Sequence, residues 1–288
     1  MNTQPVIGIS GCLTGSAVRF DGGHKRMGFV MDELAQWVAF KPVCPEMADR
    51  PARSPSGAPP GADPARGDPH ALQPRPARGC DGEDGLIFAS AHLATLGELS
   101  GFIVCAKSPS CGMERVRLYD EKGNRGRKEG VGLFTGALMA RYPWLPVEED
   151  GRLHDPLLRE NFVERVFALH ELNALRARGL TRHGLLAFHS RYKLQLLAHH
   201  QAGYREIGPF VASLHEWEDL EAFFEVYREK LMAILKQPAS RKNHTNVLMH
   251  IQGYFRDQLN SRQRGELREV IPQLSRRAAA DPRPADAA

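Results

Sequence analysis

The sequence predicts an α/β domain followed by an all-helical domain, and three observations support this division. Short apolar runs such as "PVIGIS", "FKPVC" and "LSGFIVCA" alternate with helical patterns up to about residue 150. From Asp155 onward the pattern is helical throughout. The charge also differs, because residues 151–288 hold 21 Lys and Arg against 16 Asp and Glu, whereas the first 150 residues hold 17 against 18. Strands that alternate with helices indicate a largely parallel, Rossmann-like sheet.

Within residues 1–150, each predicted strand is followed by a loop or a helix. "PVIGIS" predicts the first strand, and "FKPVCPEM" predicts a second strand that ends in a turn at Pro45. "LSGFIVCA" predicts the next strand. Helices are predicted for "LIFASAHLATLGEL" and for the start of "GLFTGALMARYPWLPVEE", which ends in an extended segment. The segment "MGFVMDELAQWVAF" predicts a further helix, with an apolar face formed by Phe29, Leu34, Trp37 and Val38.

The sequence pattern of residues 151–272 predicts a helical domain. Asp155 is a candidate N-cap with Pro156 at the first helical position, and "LLRENFVERVFALHELNALRAR" continues that helix. Further helices are predicted for "RHGLLAFHSRYKLQLLAHHQ", "DLEAFFEVYREKLMAILKQ" and "NHTNVLMHIQGYFRDQLN". These runs favour an antiparallel bundle of about four or five helices.

Two segments have a composition that opposes folding. Residues 48–79 are rich in Pro, Ala, Gly and Arg and contain a single Leu as their one large apolar residue. Such a segment buries too little surface to offset its conformational entropy, so a disordered loop is predicted inside the first domain. The same reasoning predicts a disordered tail over residues 273–288.

The composition excludes several classes of protein. The start of the chain has no basic segment followed by a long apolar stretch, and no apolar run reaches the length of a membrane span. The five cysteines are odd in number and widely scattered, which argues against a secreted disulfide framework. We therefore expect a cytoplasmic protein with reduced thiols. The oligomeric state cannot be inferred from the sequence.

Three cysteines share the same position relative to a predicted strand. Cys12 follows the first strand, Cys44 ends the second, and Cys111 follows the third in the turn "KSPSCG". Carboxyl ends of parallel strands meet at one edge of a sheet, so three thiolates there could hold a soft metal or an iron–sulfur cluster. The alternative is three separately buried thiols, with a simple Ser-Pro turn before Cys111. Cys105 lies in a strand run and Cys80 in the low-complexity segment, so neither belongs to the predicted site.

The stretches "GCLTGSAVRFDGG", "CPEM" and "KSPSCG", in that order, resemble the iron–sulfur thiouracil desulfidase family. The second part resembles a YbgA-like helical domain through "HSRYKLQLLAHH" and "NVLMHIQGYF". Together the two parts are similar to the two-domain desulfidases that act on thiouridine in tRNA. The resemblance covers nearly the whole chain.

The resemblance implies a cofactor and a set of site residues. Cys12, Cys44 and Cys111 would hold a [4Fe-4S] cluster, whose open iron would bind thiocarbonyl sulfur and polarise the carbon for attack by water. Glu46 would be the catalytic carboxylate, and Ser108 would hydrogen-bond the base or relay a proton. The family also suggests substrate-positioning groups, and the first candidates for contacts with RNA phosphates lie in the helical part. These are Arg19, Asp21 and Lys107 for the substrate, and Arg191, Lys193, Arg241 and Lys242 for RNA.

Two rows of helical residues allow two interpretations. Residues three and four apart share a helix face. The rows are His189, Tyr192, Lys193 and Leu196, and then Asn246, His250, Gly253 and Tyr254. They could be buried polar residues that tie helices together, or a basic aromatic surface that grips RNA and stacks an unpaired base.

The sequence departs from the family pattern at two places. Residues 48–79 stand where the family has a glycine- and Pro-Arg-containing stretch that closes the pocket, and the proline-led hydrophobic C-terminus is absent. A GC-rich gene read out of frame would give such composition, which the nucleotide sequence can test. Two alternative functions stay open: a desulfidase of free thiopyrimidine bases, and a non-catalytic RNA-binding protein with a lost or structural cluster.

Overall fold

The computed structural model describes residues 4–17, 23–43, 98–119 and 125–276. Contacts divide the chain into two compact units. The first unit comprises residues 1–143 and 147–154, and the second comprises residues 144–146 and 155–288. The predicted loop at residues 48–79 lies outside the described residues, as do most of the helix predicted from residue 86 and the end of the predicted tail.

The first unit is built on a parallel sheet, which confirms the predicted fold class. The described strands are β1 (Val6–Ser10), β2 (Ala39–Val43), β3 (Gly101–Val104), β4 (Val116–Tyr119), β5 (Arg125–Gly130) and β6 (Val147–Glu149). Four of them form one sheet in the order β2-β1-β3-β6, and all of its pairings are parallel. The strand order places β1 in the interior of the sheet, between β2 and β3.

The interior strands are buried because their side chains are apolar on both faces. Ile7 and Ile9 of β1 are fully buried, as is Ile103 of β3. Gly8 pairs with Phe102 across the sheet, and a Cβ atom at position 8 would lie 2.4 Å from the Phe102 ring. The absence of a side chain at Gly8 is therefore what allows the aromatic ring to pack over β1.

The helix predicted between β1 and β2 is short and irregular. A π-helical turn spans Phe29–Glu33 and continues as a 3-10 turn over Leu34–Gln36. Leu34 is buried as predicted, but the prediction for Trp37 is wrong because 66% of this residue is exposed. A π turn contains more residues than an α turn, so it rotates the side chains that follow away from a 3.6-residue pattern.

Beyond β3, the chain forms an antiparallel hairpin of β4 and β5 that the sequence did not predict. Helix α1 (Leu133–Arg141) and strand β6 follow, in agreement with the helix and the extended segment predicted there. Phe134 and Leu138 of α1 are buried, and the Phe134 ring lies 5.6 Å from the Phe102 ring. Helix α1 thereby covers one face of the sheet next to the turn that follows β3.

From Asp155 onward, the described residues of the second unit form helices that are joined by short turns and loops. Its helices are α2 (Pro156–Ala177), α3 (Arg182–His199), α4 (Gln201–Ala212), α5 (Leu220–Leu235), α6 (Arg241–Tyr254) and α7 (Ser261–Arg276). The predicted cap is confirmed, since an Asp155 carboxylate oxygen accepts hydrogen bonds from the N–H groups of Leu157 and Leu158. Helices α4 and α7 were not predicted, and α7 extends into the predicted tail as far as Arg276.

Aromatic side chains form much of the core of this helical unit. The Phe223 ring stacks on Phe210 at 4.7 Å and on Tyr227 at 5.9 Å. Stacked aromatic pairs of this kind contribute about 0.5–1.5 kcal/mol each beyond their buried area. Within the described ranges, no helix combines the length and the apolar character that crossing a membrane requires.

Candidate active site

The turns that follow β1 and β3 start at the same edge of the parallel sheet. Strand β1 runs into a 3-10 turn over Gly11–Thr14, which carries Cys12, and β3 runs into the turn that carries Cys111. Strand β2 lies on the other side of β1 and ends at Val43, one residue before Cys44 in the sequence. The three predicted cysteine ligands therefore follow three neighbouring strands.

Cys12 is buried in the turn after β1, and its backbone holds two parts of that turn together. The Cys12 carbonyl accepts a hydrogen bond from the Lys25 N–H at 2.8 Å and a longer one from the Gly15 N–H at 3.4 Å. Gly15 has a φ of 98°, a left-handed conformation that glycine adopts readily. The Cys12 turn is thus closed by its own glycine and fixed by a segment that lies further along the chain.

The Cys111 turn is held from inside by the Ser108 hydroxyl. The Ser108 oxygen accepts hydrogen bonds from the N–H groups of Ser110 (3.3 Å) and Cys111 (3.2 Å). The Thr135 hydroxyl of α1 donates to the Cys111 carbonyl at 2.6 Å. Serine and threonine hydroxyls favour such turns because they satisfy backbone groups that a strand or a helix would otherwise pair.

The start of α1 packs directly on the same turn. The N–H groups of Leu133 and Phe134 donate to the carbonyls of Pro109 and Ser110. At Gly132, a Cβ atom would lie 2.6 Å from the Ser110 carbonyl carbon and oxygen. A glycine is required here because the two backbones approach too closely for any side chain.

Two residues that flank the Cys111 turn have left-handed backbones without being glycine. They are Lys107, with a φ of 65°, and Arg115, with a φ of 56°. This conformation is uncommon for residues with a side chain, and it persists where the surrounding contacts enforce it. The predicted substrate residue Lys107 therefore lies at a bend, with its side chain exposed.

A buried carboxylate fixes the far end of this turn. Glu149, the last residue of β6, accepts hydrogen bonds at one oxygen from the N–H groups of Met113 (2.8 Å) and Glu114 (3.1 Å). Only 6% of Glu149 is exposed. Because charge-assisted bonds to backbone N–H groups are stronger than neutral ones, Glu149 holds the segment after Cys111 in place.

Cys105 is a neighbour of the site that sequence reasoning missed. Strand β3 ends at Val104, so Cys105 lies just outside the strand, and its N–H donates to the Ser10 hydroxyl at 3.1 Å. A hydrogen bond with the Cys12 thiol, together with burial, raises the pKa of Cys105 far above its usual range. Cys105 is therefore a direct neighbour of Cys12. The place of Cys105 beside Cys12 follows from the pairing of Ile9 with Ile103 across β1 and β3, which the sequence alone does not specify.

Several predicted site residues lie outside the described part of the chain. These are Cys44, Glu46, Arg19 and Asp21. Among the described residues, no three His, Cys, Asp or Glu side chains are grouped closely enough to hold a metal ion. The described pair, Cys12 and Cys111, consists of buried thiols at one sheet edge, and thiolates are the usual ligands of iron–sulfur clusters, so this donor set fits a cluster that takes a third cysteine.

In the helical unit, the two predicted rows differ in their surroundings. The row on α3 is largely internal, since His189 hydrogen-bonds the buried Tyr227 hydroxyl at 3.2 Å and Tyr192 stacks on Phe188 at 4.4 Å. In the row on α6, His250 and Tyr254 are exposed. The first row therefore fits the interpretation as buried polar residues that tie helices together, whereas the second row faces solvent.

The four predicted RNA-contact residues also differ from one another. Arg191 pairs with Glu171 at 3.3 Å, whereas the Lys193 ammonium lies 5.2 Å from the centre of the Tyr254 ring. Arg241 and Lys242 are exposed at the start of α6. Three of the four cations therefore lie on α6 or next to an aromatic residue of α6.

The fold and the site define an α/β domain with cysteine-bearing turns at the carboxyl edge of a parallel sheet, joined to a helical domain. The chain belongs to the 2-thiouracil desulfurase family, whose model matches residues 7–150, half of the chain. Residues 193–280 match a second family model, described as a protein of unknown function, DUF1722. The resemblance stated from the sequence is thereby confirmed for both parts.

One curated relative and one solved structure are similar to parts of the chain. The uncharacterized protein YbgA of Escherichia coli (strain K12) is 50% identical over 112 residues, which are 39% of this chain and 66% of that relative's length. The structure of the [4Fe-4S]-dependent thiouracil desulfidase TudS is 24% identical and covers 53% of this chain and 95% of that protein, with a TM-score of 0.33. A likeness at that score adds nothing to the family assignment.

Proposed function

We propose that the chain is a [4Fe-4S]-dependent desulfidase that removes sulfur from thiouridine in tRNA. The reaction is hydrolytic: water supplies the oxygen that replaces sulfur on the pyrimidine carbon, and the sulfur leaves as sulfide. No oxidant or reductant is needed. Because tRNA is the proposed substrate, we expect the activity in the cytoplasm.

The observation that carries this proposal is the alignment of three cysteines with three neighbouring parallel strands. Cys12 and Cys111 are buried in turns that leave β1 and β3 at one sheet edge, and Cys44 is the residue after β2. These three cysteines would hold the cluster. With three protein ligands, the cluster would supply an open iron that acts as a soft Lewis acid toward thiocarbonyl sulfur.

Ser108 would act on the base from the turn that carries Cys111. Its oxygen accepts the Cys111 N–H, so the position of the hydroxyl is tied to that of the ligand. The Ser108 O–H proton is the group that would donate to the pyrimidine or relay a proton. A hydroxyl fixed in this way loses little rotational freedom when the substrate binds.

Glu46 would be the general base that takes a proton from the attacking water. It follows Cys44 by two residues, which would bring a carboxylate next to the cluster. Arg19, Asp21 and Lys107 would position the substrate. Lys107 precedes Ser108 and has an exposed side chain, which suits contact with an anionic nucleotide.

Helix α6 would supply the RNA-binding surface. It contains Arg241, Lys242 and two histidines and no acidic residue. Two cations at the start of a helix are unfavourable because this end of the helix dipole is positive. An anion bound there would be favoured both by the two cations and by the dipole. At the other end of α6, 61% of Tyr254 is exposed and Lys193 lies over its ring, an arrangement that can stack a base beside a phosphate.

A second candidate function is the desulfurisation of free thiopyrimidine bases. The description of the matched family, 2-thiouracil desulfurase, names a free base and thereby favours it. In that case the helical unit would serve structure or assembly. A third candidate, RNA binding without catalysis, would require that thiolated tRNA is bound and no sulfide is released.

Sulfide release from anaerobically reconstituted protein tests the proposal. We expect turnover of thiolated tRNA and a kcat that falls about 100-fold or more in Ser108→Ala, because a positioned proton donor contributes about 10²–10⁴-fold. Ser110→Ala is the matched control, since it removes a neighbouring hydroxyl that accepts none of the turn's N–H bonds described above. Binding without sulfide release would contradict the proposed reaction.

The choice between tRNA and free base can be made in the full-length chain. The double variant Arg241→Gln with Lys242→Gln and the variant Tyr254→Ala should raise KM for thiolated tRNA and leave turnover of free 2-thiouracil unchanged. Loss of one stacked base contact corresponds to about 1–3 kcal/mol. Equal kinetics of wild type and variants on tRNA would favour the free-base function.

A further inference from the structure

Asp150 is a buried carboxylate whose two oxygens have different partners. It follows β6 directly and is 3% exposed. One oxygen accepts the Ala106 N–H at 2.7 Å, and the other pairs with the Lys25 ammonium at 2.6 Å. The Asp150 N–H donates to the Val104 carbonyl at 3.0 Å, so the backbone of Asp150 extends the pairing of β3 with β6. The sheet therefore fixes the backbone of the residue that carries this carboxylate.

The partners of Asp150 belong to the two turns that carry the described cluster ligands. Ala106 lies in the turn between β3 and Cys111. The Lys25 N–H donates to the carbonyl of Cys12, so Lys25 is fixed to the Cys12 turn by its backbone and to Asp150 by its side chain. One carboxylate thus joins the Cys12 turn to the turn that leads to Cys111.

The energetics favour a positioning role over a purely stabilising one. The Lys25 side chain is partly exposed, so solvent screens its ion pair with Asp150. Such a pair adds little to the stability of the fold. Burying a carboxylate has a large desolvation penalty that such a pair repays only in part. The side-chain oxygen of an Asn could still accept the Ala106 N–H, although more weakly, but its neutral amide would not form an ion pair with Lys25. The negative charge therefore matters most for the ion pair that connects the two turns.

We propose that Asp150 is a positioning residue of the desulfidase site. Its carboxylate, acting through Lys25 and Ala106, sets the spacing between the Cys12 turn and the Cys111 turn that a shared cluster needs. This inference rests on the proposed function. Partners that orient metal ligands without touching the metal typically change metal affinity about 10- to 100-fold when they are removed.

Cluster loss to an iron chelator tests this role without reference to turnover. Full-length wild type, Asp150→Ala, Asp150→Asn, Lys25→Met and Lys25→Arg are reconstituted anaerobically, and the decay of the visible cluster absorbance is followed. We expect Asp150→Ala and Lys25→Met to lose iron about 10- to 100-fold faster than wild type. Lys25→Arg keeps the cation and should restore a rate near that of wild type, and Asp150→Asn should behave like Lys25→Met.

Glu148→Gln is the matched control, because Glu148 is also a buried acid of β6 whose carboxylate contacts the Arg152 side chain and the Glu149 N–H. An amide oxygen at position 148 can still accept both bonds, so the pair of Arg152 with Glu114 after the Cys111 turn is kept. Its cluster should decay at the wild-type rate, and the circular dichroism of all variants should match that of wild type. The electron paramagnetic resonance spectrum of the reduced cluster should change in Asp150→Ala and not in Glu148→Gln. Equal decay rates and spectra in wild type, Asp150→Ala and Lys25→Met would overturn the inference and leave the proposed function intact. A wild-type chain that takes up no iron would overturn both.

Discussion

Polar side chains are used differently in the two units of the chain. At the sheet edge of the first unit they bond to the backbone of irregular turns, as Glu149 does with the N–H groups of Met113 and Glu114. In the helical unit they connect one helix to the next, as the Asn161 amide does when it donates to the Leu235 carbonyl at 2.9 Å. The difference separates two effects: substitutions in the first unit should change what the turns can hold, and those in the second should change stability.

The largest expected effect tests the first half of this comparison. Gly132→Ala would place a Cβ atom 2.6 Å from the backbone of Ser110, so the turn that carries Cys111 must move. We expect this variant to fold with a low cluster content and to lose desulfidase activity. The measurement is iron and acid-labile sulfide per chain after anaerobic reconstitution.

The control for this prediction is a glycine four residues later in the same region. Gly136 lies within α1, and an added Cβ would meet only the Val131 side chain at 3.7 Å, an ordinary contact. Gly136→Ala should keep the wild-type cluster content and raise stability slightly, because alanine favours a helix interior by about 1 kcal/mol over glycine. Equal cluster contents in both variants would show that the approach of α1 does not set the turn.

A smaller effect is expected from the helical unit. Asn161→Ala leaves the buried Leu235 carbonyl without its side-chain donor, which should lower the free energy of unfolding by about 1–3 kcal/mol. Cluster content per folded chain should stay at the wild-type value. Urea unfolding of both proteins measures the first quantity. If this variant instead lost its cluster and kept its stability, the contrast between the units would be wrong.

The smallest expected effect is a dependence of stability on pH. Burial, and next the Lys193 ammonium, lower the pKa of His189 below its ordinary value of 6.5. As pH falls below about 6.5 the unfolded chain binds this proton first, so the free energy of unfolding falls until the folded-state pKa is reached. His189→Gln should unfold with a weaker pH dependence between pH 7 and pH 5, in the range where an ordinary histidine titrates (about 6.5). An unchanged slope would contradict the burial of a neutral His189.

The sequence predicted the elements whose local pattern agrees with their tertiary role. Strands β1 and β3 are apolar runs, and α2 begins at the Asp155 cap. The hairpin of β4 and β5 was missed because strand β5, "RGRKEG", is polar throughout and shows no alternation. Helix α4 contains Pro209 and two glycines, which ordinarily indicate a break, yet it forms because its apolar face packs against α5.

The site was predictable only in part. The positions of Cys12 and Cys111 after predicted strands could be predicted from sequence order. This prediction does not require knowing which strands pair. The neighbours Cys105 and Asp150 depend on which strands pair and in what register, which a single sequence does not specify. Trp37 was assigned to the wrong face because a π turn interrupts the helical period. Non-local contacts and irregular turns therefore account for what was missed.

The central claim is that the cysteines after three neighbouring strands hold an iron–sulfur cluster. The most direct test is the iron and acid-labile sulfide content of anaerobically purified wild type beside Cys111→Ser. The account predicts about four iron and four sulfide per chain in wild type and their loss in the variant, as expected for a [4Fe-4S] cluster held by cysteine thiolates. A well-folded, colourless wild type that takes up no iron after anaerobic reconstitution would contradict it.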